Sequence, residues 1–415
     1  MSVMPRLSRL RSIAFARREK RKRKPRSRRS RVLRLVLRCS LVVIVGLILL
    51  TQLNGAFGAW VADTSRSMLG PQITAQLESW YLGVSDTVHQ LAYHLGSQQV
   101  STPWKVKPTP TIGKTALAAR STPSPMALPS ILPAITPALD GEGVWTTDGL
   151  PTSPGLPPLV ARAFLRPDPA RPYAIATFLQ FDLRFVALHM VAGTTQPGGP
   201  RGIAGPGVIP PDDQRGNFLL AALNGGFKYA DGQYGMMVNG TVYVPAKQGQ
   251  ATVAVTKRRQ VLLGAWGVDP GLGSDNSNLA AWRQNGALLI DQGTINPLTH
   301  DGAAWGGTVL NSAYTWRSGL GLTADGTLLY AAGNSLSAET LGEALKAAGA
   351  VMAMQLDINP FWVRAFLYER DAAGTLHAMK LNPAMQGSAL DYLQGTPRDF
   401  FYLTVVPPNP SRPGQ

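Results

Sequence analysis

The chain has 415 residues and a formal charge of +16, yet 16 of its 40 Lys/Arg and one of its 24 Asp/Glu fall in the first 38 positions. The remainder holds 24 basic and 23 acidic residues, so a strongly basic segment precedes a nearly neutral body, and the high pI says nothing about that body. The single cysteine, Cys39, excludes a disulfide framework and thiol chemistry in everything that follows it, and His89, His94, His189, His300 and His377 show no zinc-site spacing.

Residues 1–38 are a basic tail. Residues 39–60, CSLVVIVGLILLTQLNGAFGAW, contain no charge. Roughly 20 apolar residues rising ~1.5 Å each cross a ~30 Å hydrocarbon core, so a single transmembrane helix is expected here. The stretch is long for a signal peptide, and no small-residue cleavage site follows it. Trp60 sits where an interfacial aromatic belongs, and Lys/Arg on one side only puts the N-terminus in the cytoplasm. The expectation is a single-pass cell-membrane protein whose C-terminal part is extracytoplasmic. The basic run would bind nucleic acid if it met any, but beside an apolar span it is read as gripping anionic lipid. The lipid bilayer is therefore an expected partner and nucleic acid is not.

Residues 61–100 read as short juxtamembrane helices. Leu77, Trp80 and Tyr81 share one face, and Ser85 or Asp86 is placed to cap a second helix bearing Val88, Leu91 and Leu95. Residues 101–160 are rich in Pro, Ser and Thr, the composition of a semi-rigid spacer from which a few apolar residues can dock on the next domain. The folded domain is placed at 161–406, with a disordered tail at 407–415. Within it, residues 173–194 read as two strands or one bent strand, and 217–227 as a strand running into a glycine turn. Asn239-Gly240 and Asp325-Gly326 mark hairpins. ATVAV, QVLLGAW and GALLI continue the strand pattern. Ser337 caps the clearest helix, with Leu336 and Leu341 as a hydrophobic staple, a stripe of Leu341, Ala344, Leu345 and Ala348, and Gly349 to end it. An apolar strand then ends at Asp357, a hairpin turns at 371–374, and FFYLTVV closes the domain. The fold class is α+β: a mainly antiparallel sheet domain with few helices, preceded by a single transmembrane helix and a Pro-rich linker.

Asp357 ends a buried apolar run abruptly, which suits a catalytic carboxylate; Asp357-Ile358-Asn359-Pro360 is also a good turn sequence. His300-Asp301 could be an acid/base pair or a metal ligand, and is more simply a loop turn. Trp305, Trp316 and Trp362 are core residues unless exposed, when they would be sugar platforms.

The order of features resembles the phosphodiester glycosidase family over roughly 161–406. It runs from a strand to Asn224-Gly225-Gly226-Phe227, then Arg317-Ser318-Gly319-Leu320-Gly321, a hairpin, a capped helix and Leu356-Asp357. The resemblance implies hydrolysis of a sugar joined through C1 to a phosphodiester, with Asn224, Gly225 and Gly226 at the site and Arg317 and Asp357 opposite. The sequence departs where the family carries Leu-Asp-Gly-Gly-Gly-Ser, because Ile358, Asn359, Pro360 and Phe361 follow Asp357. Glycines let backbone N–H groups approach an anion, whereas Pro360 has no N–H to give.

Asp357 and Arg317 are thus the expected catalytic residues, with Asn224, Gly225, Gly226, Lys228 and Asn359 binding a glycan or glycosyl-phosphate substrate. No cofactor is identified, and a need for a divalent cation is left open. Two readings follow: a membrane-anchored hydrolase of a sugar-1-phosphodiester linkage in an envelope or extracellular glycan, or a catalytically inactive glycan- or envelope-binding protein on the same fold.

Overall fold

The computed structural model describes residues 71–96, 100–105, 124–199, 201–215, 218–301, 305 and 314–406, with five positions between 61 and 69. Contacts divide the chain into units 1–53 and 54–415. The expected basic tail, apolar span and C-terminal tail lie outside the described residues. Among those described, no helix is long and apolar enough to cross a membrane.

Seventeen strands, β1 to β17 in chain order, build three sheets among the described residues, and all their pairings are antiparallel. The first sheet has seven strands: β1 (Val160–Leu165), β2 (Ala176–Phe181), β13 (Leu328–Leu336), β12 (Thr315–Thr323), β14 (Ala350–Ile358), β10 (Leu288–Asp291) and β11 (Thr294–Ile295). The second has five: β16 (Leu376–Lys380), β15 (Ala365–Arg370), β4 (Leu219–Asn224), β17 (Phe400–Val405) and β3 (Val186–Val191). The third orders β6 (Thr241–Val244), β5 (Met236–Val238), β9 (Leu279–Gln284), β7 (Ala251–Thr256) and β8 (Val261–Ala265). Strands β2, β4 and β7 are buried at every position, so both of their faces are covered, and the apolar runs there have no polar alternation to show. One core joins all three sheets through Leu179, Tyr330 and Leu356, Leu223 and Leu403, and Val253 and Ala281.

The expected strands at 173–194 are two, β2 and β3, but they part company and enter different sheets. Asn239 and Gly240 take positive φ values of 49° and 80°, as their hairpin requires. Helix α3 (Ala338–Ala347) packs Leu341, Ala344 and Leu345 on the outer face of the seven-stranded sheet. Its cap is reciprocal: the Thr340 N–H donates to Ser337 Oγ at 3.1 Å, and the Ser337 N–H donates to Thr340 Oγ1 at 2.9 Å. Two short helices, α2 (Pro211–Gln214) and α4 (Asp391–Gln394), lie in connections.

Two expectations change. Residues 71–94 form one continuous helix, α1 (Pro71–His94), and not two. Asp86 caps nothing; it is buried mid-helix, where its carboxylate accepts from Arg171 at 3.1 and 3.2 Å and from the Tyr173 hydroxyl at 3.1 Å. From residue 124 the expected spacer is bound to the domain. Met126, Ile131 and Trp145 join the apolar cluster beneath α3, and Thr146 bridges to Arg162. Glu142 is the polar anchor: its carboxylate accepts from Arg166 Nε at 2.9 Å and from the Arg166 and Leu139 N–H groups, each at 2.8 Å.

Removing one partner of a buried ion pair strands the other charge. Glu142→Ala should therefore cost about 3 kcal/mol of unfolding free energy, read by urea denaturation of the full chain, while substitution of the exposed Leu132 should be neutral.

Candidate active site

Three chain segments converge at Gly225. It follows β4, its N–H donates to the Asp399 carbonyl at 3.1 Å just before β17, and its own carbonyl accepts from the Asp357 N–H of β14 at 3.1 Å. A Cβ on Gly225 would lie 2.2 Å from Asp399 Oδ2 and 2.4 Å from its carbonyl oxygen, so only glycine fits. A Cβ on Gly226 would sit 3.1 Å from the Arg283 guanidinium.

Strand β14 bulges here. Arg317 pairs with Ile358 while Gly319 pairs with Gln355, so β14 carries an extra residue against β12. The extra residue re-aims the strand end, and Asp357 meets the segment before β17. Its Oδ1 accepts from the Ile358 N–H at 2.9 Å, and its Oδ2 pairs with Arg398 Nη2. Asp357 is 6 % exposed. Burial pushes its carboxyl up to about 6, against the opposing pull of Arg398, the Ile358 N–H and Lys228.

Arg398 is only partly satisfied. Nη2 also donates to the Gly226 carbonyl at 2.9 Å, while Nε and Nη1 are buried without a hydrogen-bond acceptor. Its guanidinium carbon lies 4.5 Å from the Trp362 ring centroid, and Lys228 Nζ lies 4.7 Å from the same ring. Both distances suit cation–π attraction. Two cations thus share one aromatic ring beside a buried carboxylate.

A second pair behind it is saturated. Arg283 Nε meets Asp399 Oδ2 at 2.8 Å, with both side chains 1 % exposed. The Arg283 Nη groups donate to the Phe227 and Gln284 carbonyls, each at 2.7 Å, and the Gly226 N–H donates to Asp399 Oδ2 at 3.1 Å. Asn285 completes the frame, donating to the Gln355 and Leu356 carbonyls at 2.8 and 3.1 Å and accepting from the Phe227 N–H at 3.0 Å.

The expected site residues divide accordingly. Asp357, Gly225, Gly226 and Lys228 come together. Asn224 stands one step behind: its Nδ2 donates to Ser318 Oγ at 2.9 Å, and Ser318 Oγ donates to the Asp357 carbonyl at 2.9 Å. Asn224 Oδ1 accepts from the Tyr330 hydroxyl at 2.8 Å. Arg317 is directed elsewhere. It donates to the Leu336 carbonyl at 3.0 Å, the Trp305 carbonyl at 2.9 Å and Gln355 Oε1 at 2.6 Å, and burial draws it down to about 10. Asn359 has φ 73° and accepts from the Phe361 N–H at 3.1 Å, holding the turn after Asp357.

His300 is an exposed surface group 3.1 Å from Glu339, and no group of metal-ligating side chains gathers among the described residues. Trp305, Trp316 and Trp362 are all buried, so none is an exposed sugar platform. A cavity of about 520 Å³ opens elsewhere, at the Asp325-Gly326 hairpin beside Asp182, Arg184 and Arg259, and contains none of these residues.

The residues that sequence reasoning missed are Arg398, Asp399 and Arg283. Arg398-Asp399 abuts the apolar run of β17 as abruptly as Asp357 ends β14, and that charge-against-strand signal was legible. Arg283 gave no signal, because β9 was not anticipated. Gly225→Ala should cost about 3 kcal/mol through overpacking against Asp399 backbone that cannot give way, measured as a lowered denaturation midpoint.

Residues 217–357 match the family model for phosphodiester glycosidase. Among solved structures, the chain is similar to the zebrafish N-acetylglucosamine-1-phosphodiester alpha-N-acetylglucosaminidase catalytic domain, auto-inhibited by its pro-peptide. That likeness has 14% identity and a TM-score of 0.38, and covers 62% of this chain and 86% of that one. A hypothetical protein from Synechocystis is similar at 13% identity and a TM-score of 0.30, over 56% of this chain and 59% of that one. No curated protein matches the chain. The matched segment begins two residues before β4 and ends on Asp357 itself.

Proposed function

We propose that the protein hydrolyses the bond between sugar C1 and a phosphodiester oxygen, acting from a membrane-anchored, outward-facing position on an envelope or extracellular glycan. The observation that carries this reading is Asp357 paired with Arg398, whose remaining two N–H-bearing nitrogens are buried without acceptors. Each unsatisfied buried donor costs about 1–3 kcal/mol, a cost that phosphate oxygens would offset on binding.

In this reading water adds to C1, the C1–O bond breaks, and the phosphate monoester departs with the bonding electrons. Such a leaving group needs less protonation than an ordinary alcohol, so one carboxylate can serve where glycosidases commonly use two. Ionised Asp357 acts as base or nucleophile at C1. Arg398 and Lys228 take the negative charge that grows on the phosphate. Side-chain cations thereby replace the glycine amides that the family sequence carries after its acid. Asn224, through Ser318, is a positioning residue for Asp357. The membrane anchor rests on the basic and apolar N-terminal sequence alone.

The loss of that glycine run supports the second reading, a glycan-binding protein without turnover. The full-length chain in detergent, incubated with a panel of sugar-1-phosphodiesters, separates the two. Free sugar should be released, and Asp357→Asn should lower kcat/KM by about 10²–10⁴-fold, the usual contribution of a positioned acid/base group. Binding of the panel with no sugar release from wild type would establish the binding protein instead.

The pH dependence has a definite sign. The reactive form of Asp357 is ionised, so kcat/KM should fall as pH drops through about 6. Arg398 favours the ionised form, so Arg398→Gln should move this acidic limb to higher pH as well as weakening binding. A pH–rate profile for both proteins checks the shift.

A further inference from the structure

Helix α1 has two distinct faces. One meets the domain through Asp86, bound by Arg171 and Tyr173, and through Tyr93, whose ring centroid is 5.7 Å from that of Tyr173. At about 100° per residue, the opposite side carries Ile73, Val84, Val88 and Leu91, with Leu95 one residue past the helix. Leu95 continues the same turn, because its N–H donates to the Leu91 carbonyl at 2.9 Å. These five side chains are 51 %, 43 %, 57 %, 57 % and 73 % exposed.

The stripe repeats. Ile73, Val84 and Leu95 are spaced by 11 residues, and in sequence Leu77 and Val88, and Trp80 and Leu91, repeat the same interval. An 11-residue apolar repeat, about 3.67 residues per turn, keeps a seam nearly parallel to the helix axis and is the signature of helices that pair along their length. All seven positions are uncharged. The only charged residues of α1, Glu78 and Asp86, fall off the seam.

We infer that this seam seats α1 of a second copy of the same chain, forming a parallel two-helix coiled coil while each Asp86 face stays on its own domain. A repeat of identical period pairs with itself layer by layer: Val84 on Val84, Val88 on Val88, Leu91 on Leu91. Charge argues against a lipid surface as the occupant. Helices that lie on anionic bilayers flank their apolar face with Lys and Arg, whereas α1 has neither and carries two acids. The parallel sense follows from the apolar stretch 39–60, which ends eleven positions before Pro71. In the anchored reading, both copies leave the bilayer in the same direction.

The test uses the full-length chain in detergent with Cys39→Ser as background. Wild-type sequence at the seam should give a dimer by light scattering, and Val88→Glu/Leu91→Glu should weaken self-association at least tenfold while far-UV circular dichroism is retained. Val88→Cys should form an intermolecular disulfide under mild oxidation, and Gln90→Cys, off the seam, should not. A monomeric wild type at tens of micromolar overturns the proposal. So does a dimer that survives the double substitution, since the apolar N-terminal stretch would then be holding it. Equal cross-linking at positions 88 and 90 also overturns it. In phosphatidylglycerol vesicles, shielding of Val88→Cys from an aqueous quencher without cross-linking would assign the seam to lipid.

Discussion

The backbone junction at Gly225 is the constraint on which the site depends. Its N–H and carbonyl are committed to Asp399 and Asp357, which tie the ends of β4, β14 and the segment entering β17 into one knot. Two of those elements belong to one sheet and the third to another. The Asp357 carboxylate is therefore held where two sheets are pinned together by main-chain bonds, and its position cannot drift independently of the core. A side chain at 225 would force these strands apart, so the glycine is required by contact and not by backbone angle.

The two acid–arginine pairs at this knot are built alike and do different work. Asp399 and Arg283 are almost fully enclosed, and the guanidinium nitrogens are engaged by the carboxylate and by main-chain carbonyls. Such a pair closes a frame. Asp357 and Arg398 are buried too, nearer the surface, but the guanidinium keeps two nitrogens without acceptors, and the carboxylate is pushed toward neutrality by burial. A low-dielectric setting makes that incompleteness costly, and buried polar groups left incomplete are more often a place for a ligand than a means of stability. Trp362 adds a wall that both cations can lean on without being neutralised.

Much of the architecture was legible from local chemistry. The Asn239-Gly240 and Asp325-Gly326 turns, the Ser337 cap and the apolar run into Asp357 all state their conformation within a few residues. What was not legible depends on distant partners. The 101–160 composition reads as a semi-rigid spacer with a few docking apolar residues, yet Glu142 finds Arg166, and that pairing is invisible until the fold exists. The family resemblance implies Arg317 at the site, opposite Asn224, Gly225 and Gly226. The bulge in β14 instead leaves it serving the Leu336 and Trp305 carbonyls, and gives the carboxylate to Arg398, 41 residues further on. Asp86 read as a cap because caps are local; its partner is 85 residues away.

The contribution of Arg398 from the entry to β17 has a consequence for how the molecule is made. Among the described residues β17 is the last strand in chain order, and it inserts between β4 and β3, pairing Val405 with the sequence-distant Val186. Until it arrives, β4 is paired only with β15, β3 lacks its sheet partner, and Asp357 lacks Arg398. Such long-range closure is slow, because loop entropy must be met before the contacts form. The contacts of Asp357 are thus completed only when β17 docks, and loss of that strand would open the sheet and remove the Arg398 partner in one event.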